Sequence, residues 1–209
     1  MAEKVVRAMG PIAGTGTEVV ARNLGIDYAA GKPRKAWLSK STRHGRWIKT
    51  HKRLARFSMF TKCRVTPLKV FTAGVLPATA CGAEVTGMHN REMATLRKKA
   101  AMHMAQFGQG ANHIAKLLIN GGRTQKVAVA AATQWAREMW KTATSQPRHH
   151  PLTWLKQAYY AVQPWPTKWG NSKGPLHADH LELARIGWTW PNPCEFHGTE
   201  GTLYNLLDN

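Results

Sequence analysis

From Tyr28 to Ala83 the chain contains no aspartate or glutamate. Lys32, Arg34, Lys35, Lys40, Arg43, Arg46, Lys49, Lys52, Arg53, Arg56, Lys62, Arg64 and Lys69 all stand in that stretch, with Trp37, Trp47, Phe57 and Phe60 among them. An ordinary solvated face mixes signs, and this one does not. The imbalance is global: 30 Lys and Arg oppose 11 Asp and Glu, a formal charge of +19 at pH 7. Such an excess repels itself in the compact state, and phosphates relieve it by exchanging condensed counterions for Lys and Arg. Cations interleaved with aromatics suit a phosphate backbone and stacked bases. The competing reading is a basic surface over buried aromatics with no specific ligand. The expected contacts are Arg43, Arg46, Lys49, Lys52, Arg53, Arg56, Lys62 and Arg64, with Arg97, Lys98 and Lys99 extending the track. The expected partner is RNA, DNA or an RNA–DNA duplex. A membrane is not expected, because no apolar run approaches the length needed to span a bilayer.

The apolar fraction of 43% supplies a core, and 209 residues suffice for one ordinary domain or two small helical units. The patterning is mainly α, a bundle-like array of helices behind a short N-terminal strand or hairpin, with an irregular Trp- and Pro-rich C-terminal tail. Gly10, Pro11, Gly14 and Gly16 mark a loop, and residues 18–28 read as a strand bounded by Gly31 and Pro33. Residues 43–60 read as a helix with cations on several sides. Residues 65–85 are apolar nearly all round, which predicts a buried helix. Pro67 suits its first turn, Pro77 kinks or splits it near Val75, and Gly87 ends it.

Further helices follow. Residues 91–107 place Met93, Leu96, Ala100, Met104 and Phe107 on one face. Residues 111–119 form a short helix ending before Gly121-Gly122. Residues 124–144 are alanine-rich, with Trp135 and Met139 on the apolar side. After a break at residues 147–151, Leu152, Leu155, Tyr159 and Val162 stripe a helix that ends at Pro164 and Pro166. Gly174-Pro175 opens the last, with Leu176, Leu183 and Ile186 inward. From Trp188 onward a short strand, a hairpin or packed coil is expected.

Several chemistries are excluded or disfavoured. The only aspartates are Asp27, Asp179 and Asp208, far apart in sequence. Two-metal phosphoryl transfer needs clustered carboxylates, so no autonomous polymerase or nuclease is expected and no catalytic residue is assigned. Cys63, Cys81 and Cys194 form neither a metal pair nor a disulfide framework, which fits a reducing, intracellular setting, nuclear or cytoplasmic. The serines lack a nucleophile elbow. Gly10, Gly14 and Gly16 are not followed by the Lys-Ser or Lys-Thr of a phosphate loop. A metal-dependent enzyme built on His177, Asp179 and His180 is the weakest alternative, since three or four ligands must converge. Neither cofactor nor metal is expected.

One run also resembles a known family. Ala73 to Gly87 (AGVLPATACGAEVTG) is similar to the stretch after the catalytic palm in reverse transcriptases of non-LTR-type retroelements, where a helix reads Leu-Pro-x-x-x-Tyr-Gly-x-Glu. Leu76, Pro77, Gly82 and Glu84 fill those places, and Cys81 stands where the family has Tyr. Asn23 to Tyr28 resembles the strand following the polymerase aspartates. Trp135-Ala136-Arg137-Glu138, Gly174-Pro175 and Ile186-Gly187-Trp188 resemble the helical extension of retroelement polyproteins, particularly those of dinoflagellate type. The resemblance implies a palm end over 1–31, a basic thumb or connection over 32–90 and a C-terminal helical extension over 91–209. It implies a non-catalytic fragment of an RNA-directed DNA polymerase that grips a template–primer duplex. The remainder of the reverse transcriptase is then a possible partner, and magnesium belongs to the missing palm. A stand-alone helical RNA- or DNA-binding protein without that ancestry is the alternative.

Overall fold

A computed structural model describes residues 20–23, 26–29, 32–37, 41–62, 67–104, 112–119, 124–144 and 152–208. Expectations for the Gly10–Gly16 loop, Cys63, Arg64, Phe107 and the break at 147–151 lie outside these residues. Phe57, Phe60, Lys62 and Met104 are described by their backbone only.

Among the described residues the fold is mainly α, with two small antiparallel sheets. Strand β1 (Val20–Asn23) pairs with β2 (Ile26–Ala29), and Asn23 faces Ile26 across the pair. Of the short N-terminal strand or hairpin expected, the structure has the hairpin, so the run over 18–28 is not one strand. Asn23 at the end of β1 is a turn former, and turn chemistry inside a β-prone run splits it. A short helix α1 (Arg34–Trp37) follows Pro33.

Helix α2 (Thr42–Lys62) starts where Ser41 Oγ accepts the His44 N–H at 3.1 Å, relieving one of the unpaired amides of a helix N-terminus. It buries Arg43, Thr50 and Leu54 and packs Trp47 against the core, while Lys49, Lys52, Arg53 and Arg56 are exposed.

The apolar run is not one buried helix. It forms α3 (Pro67–Val70), a π segment (Phe71–Val75), α4 (Leu76–Ala80), a turn at Cys81-Gly82 and α5 (Ala83–Thr86). Pro77 has no N–H and crowds the preceding turn. The ladder widens just ahead of it, with the Leu76 N–H donating to Phe71 O. Gly82, at φ 84°, provides the left-handed turn between α4 and α5. Phe71, Val75, Leu76 and Thr79 are buried, but Ala73, Gly74 and Pro77 are exposed. Small residues on the outer face made the run look uniformly apolar without requiring burial.

Helix α6 (Asn90–Met104) buries Met93, Leu96 and Ala100 as its periodicity predicts. Asn112 caps α7 (His113–Ile119), its Oδ1 accepting the Ile114 N–H at 2.8 Å. The alanine-rich segment is broken at Val129 into α8 (Thr124–Ala128) and α9 (Ala130–Thr144). Helices α10 (Leu152–Ala161) and α11 (Pro175–Arg185) flank a loop containing a 3-10 turn at Trp169–Asn171. The inward face of α11 differs from expectation. Leu183 is buried, but Ile186 is 39% exposed, and the buried positions include His177, Asp179 and Glu182. The tail is ordered as a three-stranded meander, β3 (Thr189–Asn192), β4 (Glu195–His197) and β5 (Leu203–Asn205).

Two principal cores result. In the first, Leu54, Phe71, Val75 and Met88 cluster with Met93, Leu96, Ala100, Leu117 and Val127, so residues on both sides of position 90 share one interior. The second is aromatic, joining Trp135, Met139, Tyr159, Leu183, Trp190 and Phe196. The Tyr159 hydroxyl donates to Trp190 O at 2.6 Å and Trp135 Nε1 donates to Pro193 O at 3.0 Å. These two bonds satisfy the polar ends of rings whose bodies anchor the meander to the helices.

Candidate nucleic-acid interface

The carboxylate-free stretch divides into two populations of cations. Along α2, at 3.6 residues per turn, Lys49, Lys52, Arg53 and Arg56 fall within an arc of about 100°. All four are exposed, and none is in an ion pair among the described residues. Arg43, Thr50 and Leu54 lie on the opposite, buried side. Arg46 is half-buried at the edge of the exposed arc, where it donates to Cys81 O at 3.4 Å. The backbone places Lys62 at the end of the same helix, and Arg64 lies outside the described residues.

The expected extension on α6 is mixed. Lys98 is exposed. Arg97 is half-buried, and burial lowers its pKa. Lys99 is half-buried and lies 2.9 Å from His51 Nδ1 on α2, to which it donates. Burial first, and Lys99 second, lower the pKa of His51, which favours the neutral acceptor form. Lys99 thus ties the α6 cations to α2, about 100° round the helix from Lys52.

Arg43 does not belong to the accessible set. It is 6% exposed, and its guanidinium donates to Thr86 Oγ1, Gly87 O and Glu92 Oε2. A guanidinium with its donors committed inside the fold cannot reach a phosphate. Arg34 is 3% exposed and donates to Thr86 O at 2.5 Å, Gly87 O at 3.2 Å and Glu92 Oε2 at 2.8 Å. Arg185 of α11 donates to Met88 O and reaches Ala128 O at 3.4 Å. Arg34 and Arg43 therefore converge on the carbonyls of Thr86 and Gly87 that end α5, and Arg185, from far along the chain, takes the next one, Met88 O. Glu92 supplies the carboxylate that offsets Arg34 and Arg43. Arg34 and Arg185 also face the Trp169 ring, at 5.5 and 5.0 Å from its centroid. Burial pulls Arg43 down to about 10 and lowers Arg34 and Arg185.

Gly87 makes this convergence possible. Its φ is +59°, and a Cβ there would lie 2.6 Å from Trp169 Cζ3 and 2.8 Å from Ala178 Cβ. Only glycine combines that backbone with that approach. Sequence reasoning assigned Gly87 to a helix end, which holds, but not to a junction between α5, α11 and the Trp169 turn. Arg34 had no local carboxylate to reveal its partner, since Glu92 is remote from it in sequence, and Arg185, three residues after Glu182, donates instead to backbone carbonyls that carry no sequence signal.

A second buried cluster lies on α11. Glu182 is fully buried, and its Oε2 accepts the Ala131 N–H at 2.9 Å and the Ala132 N–H at 3.4 Å at the start of α9. Burial raises its pKa to about 7 against those hydrogen bonds. Asp179, one turn earlier, is pushed well above the usual carboxylate range, by burial first and by Glu182 second. Both ring nitrogens of His177 are engaged: Nδ1 accepts the Lys173 N–H at 3.2 Å and Nε2 lies 2.8 Å from Val162 O. No group of three His, Cys, Asp or Glu side chains that could hold a metal occurs among the described residues. No helix among them is long and apolar enough to cross a membrane. The chain matches no family model, no curated protein and no solved structure.

Proposed function

We propose that the chain binds the backbone of RNA, DNA or an RNA–DNA duplex through the exposed face of α2, as a non-catalytic segment of reverse-transcriptase type. The observation that carries this reading is the arc of Lys49, Lys52, Arg53 and Arg56, exposed and without an ion pair among the described residues. Four exposed cations on one side of a helix match a row of phosphates, and their counterion release makes binding depend on salt. Arg46, Lys98 and Lys99 flank that face. The reverse-transcriptase part of the reading rests on the resemblance of residues 73–87.

The test is affinity for an RNA–DNA duplex across a salt series. Replacing Lys49, Lys52, Arg53 and Arg56 together by Gln lowers the log–log salt slope by about 3–4. No binding at low salt, or a salt-independent affinity, would falsify the reading.

One observation favours the alternative of a stand-alone helical nucleic-acid-binding protein. A segment cut from a larger polymerase would leave the apolar run over 70–85 exposed. Here Phe71, Val75 and Leu76 pack against Met93, Leu96 and other residues of the same chain. Cooperative, reversible melting of the purified chain as a monomer supports independence. Aggregation rescued by a polymerase palm supports the fragment.

A further inference from the structure

A cavity of about 860 Å³ opens between α9, α10, the loop that follows α10 and the start of α11. Its size lies within the usual range of small-molecule sites. Trp135, Leu155, Ala158 and Trp165 contribute an apolar, aromatic lining. Asp179 stands in the same wall at 2% exposure, and its Oδ1 is buried with no hydrogen-bond partner. A buried acceptor left unmade costs about 1–3 kcal/mol, a cost that a donor entering the cavity relieves. The charged lining is also out of character for the chain. Glu84, Glu138 and Asp179 stand against Lys173 alone among the lysines and arginines of the lining, in a protein carrying +19. Glu138 is already paired with Lys141 at 3.2 Å, which leaves Asp179 as the buried acceptor without a donor.

We propose that this cavity binds a small organic cation with a flat apolar body, an arylalkylammonium, its N–H donors meeting Asp179 and its ring lying beside Trp135 and Trp165. An anion is disfavoured by the carboxylates, and a neutral ring leaves Asp179 without a charged donor. The ammonium satisfies the carboxylate, and the aromatic walls stabilise a cation that has left water. Binding pairs an ammonium with an ionised carboxylate. Burial first, and Glu182 second, raise the pKa of Asp179, so pairing with an ammonium shifts it toward the ionised form with net release of proton to the buffer. This inference is independent of the nucleic-acid reading, whose cations lie on α2.

Titration calorimetry of the full chain, without nucleic acid, tests it with three probes that share one ring: tryptamine, tryptophol and indole-3-propionate. Tryptamine is expected to bind at least tenfold more tightly than tryptophol, with indole-3-propionate weakest. Its binding heat should change with the ionisation enthalpy of the buffer, reporting proton release. Asp179→Asn, close in shape, should cut tryptamine affinity at least tenfold and leave tryptophol within twofold. Should that variant not fold, Ala158→Trp, which fills the cavity from its wall, should abolish binding of tryptamine and tryptophol alike. No detectable tryptamine binding, equal affinity for the amine and the acid, or undiminished binding by whichever variant folds would each overturn the proposal.

Discussion

Arg43 and Arg53 lie on one helix and carry the same side chain, yet they do opposite things. Arg43 is buried against Thr86, Gly87 and Glu92, whereas Arg53 is exposed on the outer arc. The difference extends to their neighbours. Arg34, Arg43 and Arg185 hold the end of α5 against α2, α11 and the Trp169 turn, while Lys49, Lys52, Arg53 and Arg56 touch little of the fold. The lesson is that a basic run is not one functional unit. A guanidinium can be retained in an interior when carbonyls and a carboxylate take its donors. A lysine or arginine facing water keeps its donors for a ligand.

The strongest way to break this division is at its junction. Gly87→Ala should destabilise the chain by roughly 3–5 kcal/mol, because the new methyl combines a forbidden backbone with a clash against Trp169 and Ala178. Denaturant melts read this directly, and a loss under about 1 kcal/mol would mean the junction is not tightly closed. Arg43→Ala should cost about 3–5 kcal/mol by leaving Glu92 and the α5 carbonyls short of donors. In that variant, duplex affinity corrected for the folded fraction should be unchanged. A salt slope lowered in the folded protein would return Arg43 to the binding face.

The buried acids provide a pH test of the same interior. Glu182 is raised from 4.5 to about 7 in the folded chain, so between those values the unfolded state binds fewer protons. Its contribution is greatest below pH 4.5 and is lost as pH rises through about 7. At about 1.4 kcal/mol per pH unit of separation, the window carries on the order of 3 kcal/mol. Glu182→Gln should therefore flatten stability across that range and be relatively more stable at pH 8. An unchanged pH profile would show that Glu182 ionises freely in the fold. In the aromatic core, Tyr159→Phe should cost about 1–2 kcal/mol by stranding the Trp190 carbonyl. The smallest stability effect sharpens the comparison most. Lys52→Gln should change stability by less than about 0.5 kcal/mol, yet lower the duplex salt slope by about 1.

Much of the helical layout was legible because periodicity and end signals agree. The stripe of Met93, Leu96 and Ala100 marks the buried side of α6, and Trp135 with Met139 marks that of α9. Pro77 signalled the irregularity that became a π segment and a second helix. The cations of the candidate interface were legible as a set, but the sequence put them on several sides of the helix, with Arg43 among them. Lys49, Lys52, Arg53 and Arg56 recur at helical spacing opposite Arg43, Thr50 and Leu54, so the pattern separates the two faces once α2 exists. The inward face of α11 was less legible. Its apolar positions Leu176, Leu183 and Ile186 suggested one stripe, but Asp179 and Glu182 are buried instead. Hydrophobic periodicity cannot anticipate a carboxylate held inside by the amides at the start of another helix.

The sequence by itself determined a basic, mainly helical chain, its principal helices and the scarcity of aspartates, three in 209 residues. These follow from composition and from interactions within a few residues, where helix geometry alone brings side chains together. Only the tertiary structure decided which cations of the carboxylate-free stretch are available. The partners of Arg34 and Arg43 are the end of α5 and Glu92, and Trp169 and Arg185 reach the same place from far along the chain. Backbone carbonyls have no sequence signature, and every residue carries one. An arginine's fate therefore depends on which carbonyls the fold brings within reach.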